Sequence, residues 1–125
     1  MDVVRHDAVP GRPYSAAVVA EGRFVFVSGQ IPVREGRLVP GTMREQTRAV
    51  MDNIVAILDS AGATLGDVVR CGVFLADLTA ISEFNEEYTI RFGSRLPART
   101  TVGADLPGYL VEIDCIALLP TGARP

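Results

Sequence analysis

Two kinds of side chain in this sequence could work on a small polar molecule: a cation, Arg99 in the segment Pro97-Ala98-Arg99-Thr100, and the carboxylates Glu112 and Asp114. The acids alternate with Leu110, Ile116 and Leu118 on what reads as one strand face, where an unpaired carboxylate is costly to ionise. They need cationic or polar partners, and Arg99, in the neighbouring strand, is one candidate. As a structural pair the charges would hold two strands in register. As a working pair, the guanidinium would grip a ligand carboxylate through two parallel hydrogen bonds while a nearby acid handles protons. Spacing alone leaves both readings open.

Other polar groups are equally double-edged. Asn85 falls on the inward stripe of a helix with Ile81, Phe84 and Tyr88, so its amide must find partners, either main chain or something in a site. Tyr14 and Ser28 flank an apparent hairpin and would meet if its strands pair. Tyr14 beside Pro13 could equally be a packing anchor. Ser28 before Gly29 is either a turn residue or a hydroxyl offered where backbone approaches a ligand. Several chemistries lack their sequence signs: no G-x-S-x-G elbow or histidine partner marks a serine nucleophile. Gly29 and Gly62 are isolated, unlike a phosphate loop. With His6 the lone histidine and Cys71 and Cys115 far apart in sequence, neither a metal site nor a disulfide framework is expected. Both cysteines read as buried strand residues.

The elements that would position these groups alternate in type. Ser15 to Ala20 and Arg23 to Val27 are apolar runs split by Glu21-Gly22, a hairpin with a two-residue turn, ended by Ser28-Gly29-Gln30. Ile31 to Gly41 carries Pro32, Gly36, Pro40 and Gly41 and reads as a loop with room for a short strand at Arg37 to Val39. Thr42-Met43-Arg44-Glu45 is a capping box. Behind it Met43, Thr47, Val50, Met51, Ile54, Leu58 and Ala61 recur at helical spacing until Gly62 stops the helix. Val68 to Leu75 is a strand, Thr79 to Phe92 a helix stopped by Gly93, and Ala98 to Val102 a strand able to pair parallel to Val68 to Leu75 by a right-handed crossover. Leu110 to Leu118 closes the set. Two helices cover one face of such a sheet, yet its strands are apolar on both faces. A second copy of the chain is the economical cover.

At 125 residues the chain makes one domain, 1–125, and nothing in it reads as a linker or repeat. The net charge of −3 argues against a protein built chiefly to neutralise phosphates. Arg5, Arg12, Arg23, Arg34, Arg37, Arg44 and Arg48 alternate with acids and lack interleaved aromatics, so they read as solvated surface. The start lacks the apolar core of a signal peptide, and no run approaches the roughly 18 apolar residues of a membrane span. A cytoplasmic protein is expected, with no nucleic-acid or membrane partner.

Taken in order, Pro13-Tyr14-Ser15, Val27-Ser28-Gly29-Gln30-Ile31-Pro32, Gln46-Thr47-Arg48, Asn53-Ile54, Ala61-Gly62, Val73-Phe74-Leu75-Ala76-Asp77, Phe84-Asn85-Glu86-Glu87-Tyr88, Pro97-Ala98-Arg99-Thr100-Thr101-Val102, Leu106-Pro107 and Val111-Glu112-Ile113 resemble the RidA (YjgF-type) family of enamine/imine deaminases. The resemblance implies an α+β, chorismate-mutase-like mixed sheet with two helices on one face, in a homotrimer with a central β-barrel and clefts between subunits. It implies a cofactor-independent hydrolase turning 2-aminoacrylate or 2-iminobutyrate/2-iminopropionate into 2-oxo acids and ammonia. By motif, Arg99 would pair with the substrate carboxylate and Glu112 would activate or orient water. Tyr14, Ser28, Gly29 and Asn85 would line the pocket, and the main chain near Thr101 would orient the imine. Alternatives are a non-catalytic trimeric carboxylate-binding or regulatory protein and, least favoured, an endoribonuclease or translation inhibitor. Ala16, Arg12-Pro13 and Thr101 depart from common family residues, and Gly108-Tyr109 sits where it could reshape the entrance.

Overall fold

A computed structural model describes residues 3–6 and 10–122 of the chain. In chain order the elements are β1 (Val4–His6), β2 (Ala17–Val19), β3 (Phe24–Gln30), β4 (Val33–Arg34), β5 (Arg37–Leu38), α1 (Met43–Ala61), β6 (Val68–Leu75), α2 (Ile81–Phe92), β7 (Ala98–Gly103) and β8 (Val111–Leu118), with single 3-10 turns at Leu65–Asp67 and Leu78–Ala80. Four strands form the main sheet in the order β3-β8-β6-β7. The pairs β3–β8 and β8–β6 are antiparallel, and β6–β7 is parallel across the α2 connection, as the strand-helix-strand pattern requires.

Helix α1 starts and stops on its local signals. The Thr42 hydroxyl accepts from the Glu45 N–H while the Glu45 carboxylate accepts from the Thr42 N–H at 3.0 Å. Gly62 closes the helix at φ 88°, a conformation that costs a residue with a Cβ. The stripe Met43, Thr47, Val50, Met51, Ile54 and Leu58 is buried, joined by Phe84, Tyr88 and Phe92 from α2. Both helices lie on the sheet face that carries Cys71, Val73, Leu75, Val111, Ile113 and Cys115. Cys71 and Cys115 are cross-strand neighbours there, buried and free. Burial pushes both thiols up to about 12, so they pack as small apolar groups.

The expected hairpin between Ser15 to Ala20 and Arg23 to Val27 does not form. β2 pairs with β1 instead, and β3 pairs with β8. The physical reason is burial: Val25 and Val27 of β3 must reach the core, and β8 offers a long buried ladder where β2 offers three residues exposed at both ends. Ser28 and Gly29 do not end the strand either; they form an irregularity in register between Val27 and Gln30. Within the expected loop, β4 and β5 pair around Glu35-Gly36, whose φ values of 51° and 78° suit a two-residue primed turn. The reading of the first-half arginines as solvated surface fails at Arg5. Its guanidinium donates to the carbonyls of Val68, Leu96 and Gly66, the last at 2.9 Å, tying β1 to the entrances of β6 and β7.

The second face of the sheet lies open. Phe26 is 74 % exposed on it, and Phe24, Phe74, Ile116 and Val102 share its side in register.

Candidate functional site

Arg99 stands on β7, an edge strand, level with Cys71 of β6, so its side chain leaves the sheet on the helix side, under α2. Three rings surround the guanidinium carbon: Tyr88 at 4.8 Å, Phe84 at 5.3 Å and Tyr14 at 5.8 Å to the ring centroids. Such faces attract a cation while excluding water. Tyr14 is brought there by its neighbour Ser15, whose N–H donates to the Pro97 carbonyl at 3.0 Å and whose backbone bridges to Ala98. Asn85, one helical turn before Tyr88, accepts from Arg99 Nη2 at 2.8 Å. Its amide is therefore spent on the arginine side chain rather than on the main chain.

No described carboxylate lies within 4.0 Å of Arg99. Its Nη1 is buried and has no hydrogen-bond partner among the described residues, and the same holds for the Thr101 hydroxyl two residues along the same strand face. Burial lowers the guanidinium pKa, the nearby Tyr88, Cys71 and Tyr14 opposing that fall, but an arginine remains charged at neutral pH. A buried cationic donor without an acceptor is expensive unless something anionic arrives to satisfy it.

Glu112 is not that acceptor within the chain. It is level with Phe74 on β6, and thus on the open face of the sheet, opposite to the face Arg99 takes. Two strand spacings and three residues separate the two positions, about 10 Å in each direction. The expectation that Arg99 partners Glu112 or Asp114 in the same sheet is corrected accordingly, for the pleat sends them to opposite sides. Glu112 Oε1 accepts from the Tyr109 hydroxyl at 3.1 Å. Its Oε2 lies against Gly29, where an added Cβ would overlap it. Asp114 likewise rests over Gly72, accepting from that N–H at 3.1 Å, with Arg70 Nη1 at 3.7 Å.

The residues singled out from sequence therefore form two groups toward opposite sides of one sheet. Arg99, Asn85, Tyr14 and Thr101 gather at β7. Ser28, Gly29 and Glu112 gather at β3 and β8, beside an open groove of about 400 Å³ lined in part by Ser28, Gly29 and Asp114. Tyr14 and Ser28, which would meet only if the hairpin strands paired, sit at opposite edges because that hairpin is absent. A separate groove of about 790 Å³ between Arg23, Arg95 and Pro120 contains none of these groups. Sequence reasoning took Phe84 and Tyr88 as core alone and missed that their rings also enclose Arg99. Their place on Asn85's own stripe, one residue before it and one turn after, was the available signal.

Residues 5–119 match the family model described as Endoribonuclease L-PSP. The chain belongs to this family, the YjgF/RidA family. It is 46 % identical over 112 residues to a RutC family protein of Pyrococcus abyssi, covering 86 % of this chain and 87 % of that one. It is 41 % identical over 115 residues to the RutC family protein UK114 of Drosophila melanogaster, covering 89 % and 83 %. Among solved structures, YyfB of Yersinia pestis, from the conserved Rid protein family, superposes with a TM-score of 0.85 at 28 % identity over 95 % of this chain and 100 % of that one. Yeast Mmf1 gives 0.75 at 34 % identity over 96 % and 98 %. The α+β YjgF/RidA fold, two helices on a mixed sheet, is thus shared along nearly the whole chain. No helix among the described residues is long and apolar enough to cross a membrane.

Proposed function

We propose that this protein is a cofactor-independent 2-imino/2-enamino acid deaminase, acting on 2-aminoacrylate or 2-iminobutyrate/2-iminopropionate in clefts between the copies of a cytoplasmic homotrimer. The observation that carries the reading is Arg99: a guanidinium enclosed by aromatic rings, held on one side by Asn85, with a buried Nη1 that has no partner among the described residues. A substrate carboxylate supplies the acceptor that is missing among the described residues. The reading takes its trimer and central barrel from the family resemblance, and the open apolar face supports it as a surface that sheet-on-sheet packing would bury. The family resemblance puts the clefts between subunits, and in such a cleft Arg99 of one copy would face Ser28, Gly29 and Glu112 of the partner subunit.

In that cleft the reaction needs little beyond placement. Arg99 fixes the carboxylate and the main chain at Thr101 orients the imine nitrogen. Glu112 of the partner subunit takes a proton from water as the water oxygen bonds to C2. The C=N π pair moves to nitrogen, which takes up the proton that Glu112 removed from water. The resulting carbinolamine then breaks its C–N bond, releasing ammonia as the C=O of the 2-oxo acid forms. No covalent nucleophile enters the sequence.

The test is to generate 2-iminobutyrate in situ and follow its loss with wild type, Arg99→Ala and Glu112→Gln. Each variant is expected to be inactive alone. Reassembled together at equal amounts, they should recover about a quarter of wild-type activity, because one cleft in four then combines an intact arginine with an intact carboxylate. An inactive wild type rules out the deaminase, and inactive mixtures rule out the shared cleft. The distance between Glu112 and Arg99 within one chain favours a second reading, a trimer that binds 2-oxo acids without turnover; calorimetric binding with no imine loss would select it. RNA cleavage, named by the family description, is the least favoured reading given the acidic balance, and Arg99-dependent cleavage by purified protein would restore it.

A further inference from the structure

We infer that Tyr109 is a positioning residue for Glu112, fixing which carboxylate oxygen is left to work on water. The inference rests on the deaminase reading above and adds to it a group from the loop between β7 and β8.

The contact is built, not incidental. Gly108, at φ 85°, turns the chain after Leu106-Pro107, with its N–H donating to the Leu106 carbonyl at 2.9 Å. Immediately after Tyr109, the Leu110 N–H donates to Gln46 Oε1 at 2.7 Å, and Gln46 Nε2 donates to the Val39 carbonyl at 2.8 Å. Gln46 is itself buried on α1, so one side chain clamps this loop to the β5 strand end. The Leu110 carbonyl accepts from Ala76 at 2.9 Å. Tyr109 is thus held on both sides by hydrogen bonds of its neighbours, and its hydroxyl reaches Glu112 Oε1 at 3.1 Å.

The consequence for the carboxylate follows from which oxygens are free. Tyr109 occupies Oε1, and Oε2 lies over the Cβ-less Gly29, beside the groove that holds Ser28. A carboxylate free to rotate would present either oxygen in either orientation. Pinned through Oε1, it presents Oε2 alone toward the strand edge where the cleft would open. Tyr109 keeps its proton throughout, donating the hydrogen bond as the water proton passes to Oε2. The phenol's pKa is raised, by burial first and then by the hydrogen bond to Glu112 and its charge, so it remains a donor over the whole working range.

The experiment combines kinetics with a direct titration. Tyr109→Phe keeps the ring and removes the hydroxyl, and it should lower kcat by about tenfold with KM changed less than about twofold. The Tyr109 phenol, followed by its ultraviolet absorbance with Tyr109→Phe as the blank, should ionise at lower pH in Glu112→Gln than in wild type. An active wild type whose kcat is unchanged by Tyr109→Phe, or a phenol titration indifferent to Glu112, overturns the inference and leaves the deaminase reading standing. A wild type that turns over no imine overturns both.

Discussion

The two edges of the main sheet treat their charged groups in opposite ways. At β7 the Arg99 guanidinium is walled by three rings, braced by one amide and left with a buried donor unmet among the described residues. At β3 and β8 the Glu112 carboxylate stands on the open face, with one hydrogen bond from Tyr109 and a glycine beneath it. A cation and an acid in the same β-strand neighbourhood would ordinarily quench each other, as Arg44 and Glu86 do at 2.7 Å between the helices. The pleat prevents that here, so both charges remain available to a third party.

Removing the cation should show the largest effect. Arg99→Met is expected to abolish imine turnover, a loss of about 10²–10³-fold or more in kcat/KM, while leaving thermal stability unchanged or slightly raised, because an unpaired buried charge is replaced by an apolar chain. Arg99→Lys should rescue little, as an ammonium lacks the planar fork. A steep fall in Tm with Arg99→Met would recast the arginine as a structural staple and collapse the contrast between the edges.

Next in size is Gly29→Ala. The new Cβ would occupy the place of Glu112 Oε2 and displace the carboxylate, lowering kcat by about 10–100-fold. Binding of a 2-oxo acid, measured by calorimetry, should be nearly unchanged, since only the β3 edge is disturbed. Equal losses in binding and turnover would mean that the two edges are not separate in role.

Smaller effects should follow at the Arg99 supports. Asn85→Ala removes the acceptor that holds Nη2 and should weaken 2-oxo acid binding by about 5–10-fold, from roughly 1 kcal/mol of hydrogen bonding. Tyr14→Leu, which removes the most distant of the three rings, should cost about 2–5-fold. The reverse order would place the main support of the cation in the rings.

The strands between the edges predict a pH response that leaves neutral conditions untouched. Burial raises the Cys71 and Cys115 thiols from 9.0 to about 12. The folded state then holds those protons more tightly than the unfolded chain, so stability is complete below about pH 9 and falls as pH rises toward 12. Urea midpoints across that range should decline less in Cys71→Ala. Midpoints independent of the substitution would show that other groups govern alkaline unfolding.

Local signals carried much of the fold. The Thr42 to Glu45 box, the stripe from Met43 to Leu58, Gly62 and the run Val68 to Leu75 each act over a few residues, and the physics that reads them is the physics that forms them. The motif set around Arg99 was likewise legible along the chain. Strand partnership was not, because β3 chooses between β2 and β8 according to how much apolar surface each ladder buries, a property of residues ninety positions away. Nor could spacing reveal that Arg99 and Glu112 leave the sheet on opposite faces: an alternating strand states which residues share a side, but not which side its neighbours will present. The sequence by itself determined the chemical groups and the elements that carry them. Only the tertiary structure decided that the cation and the carboxylate are kept apart, since that depends on strand order and register, which are set by long-range burial.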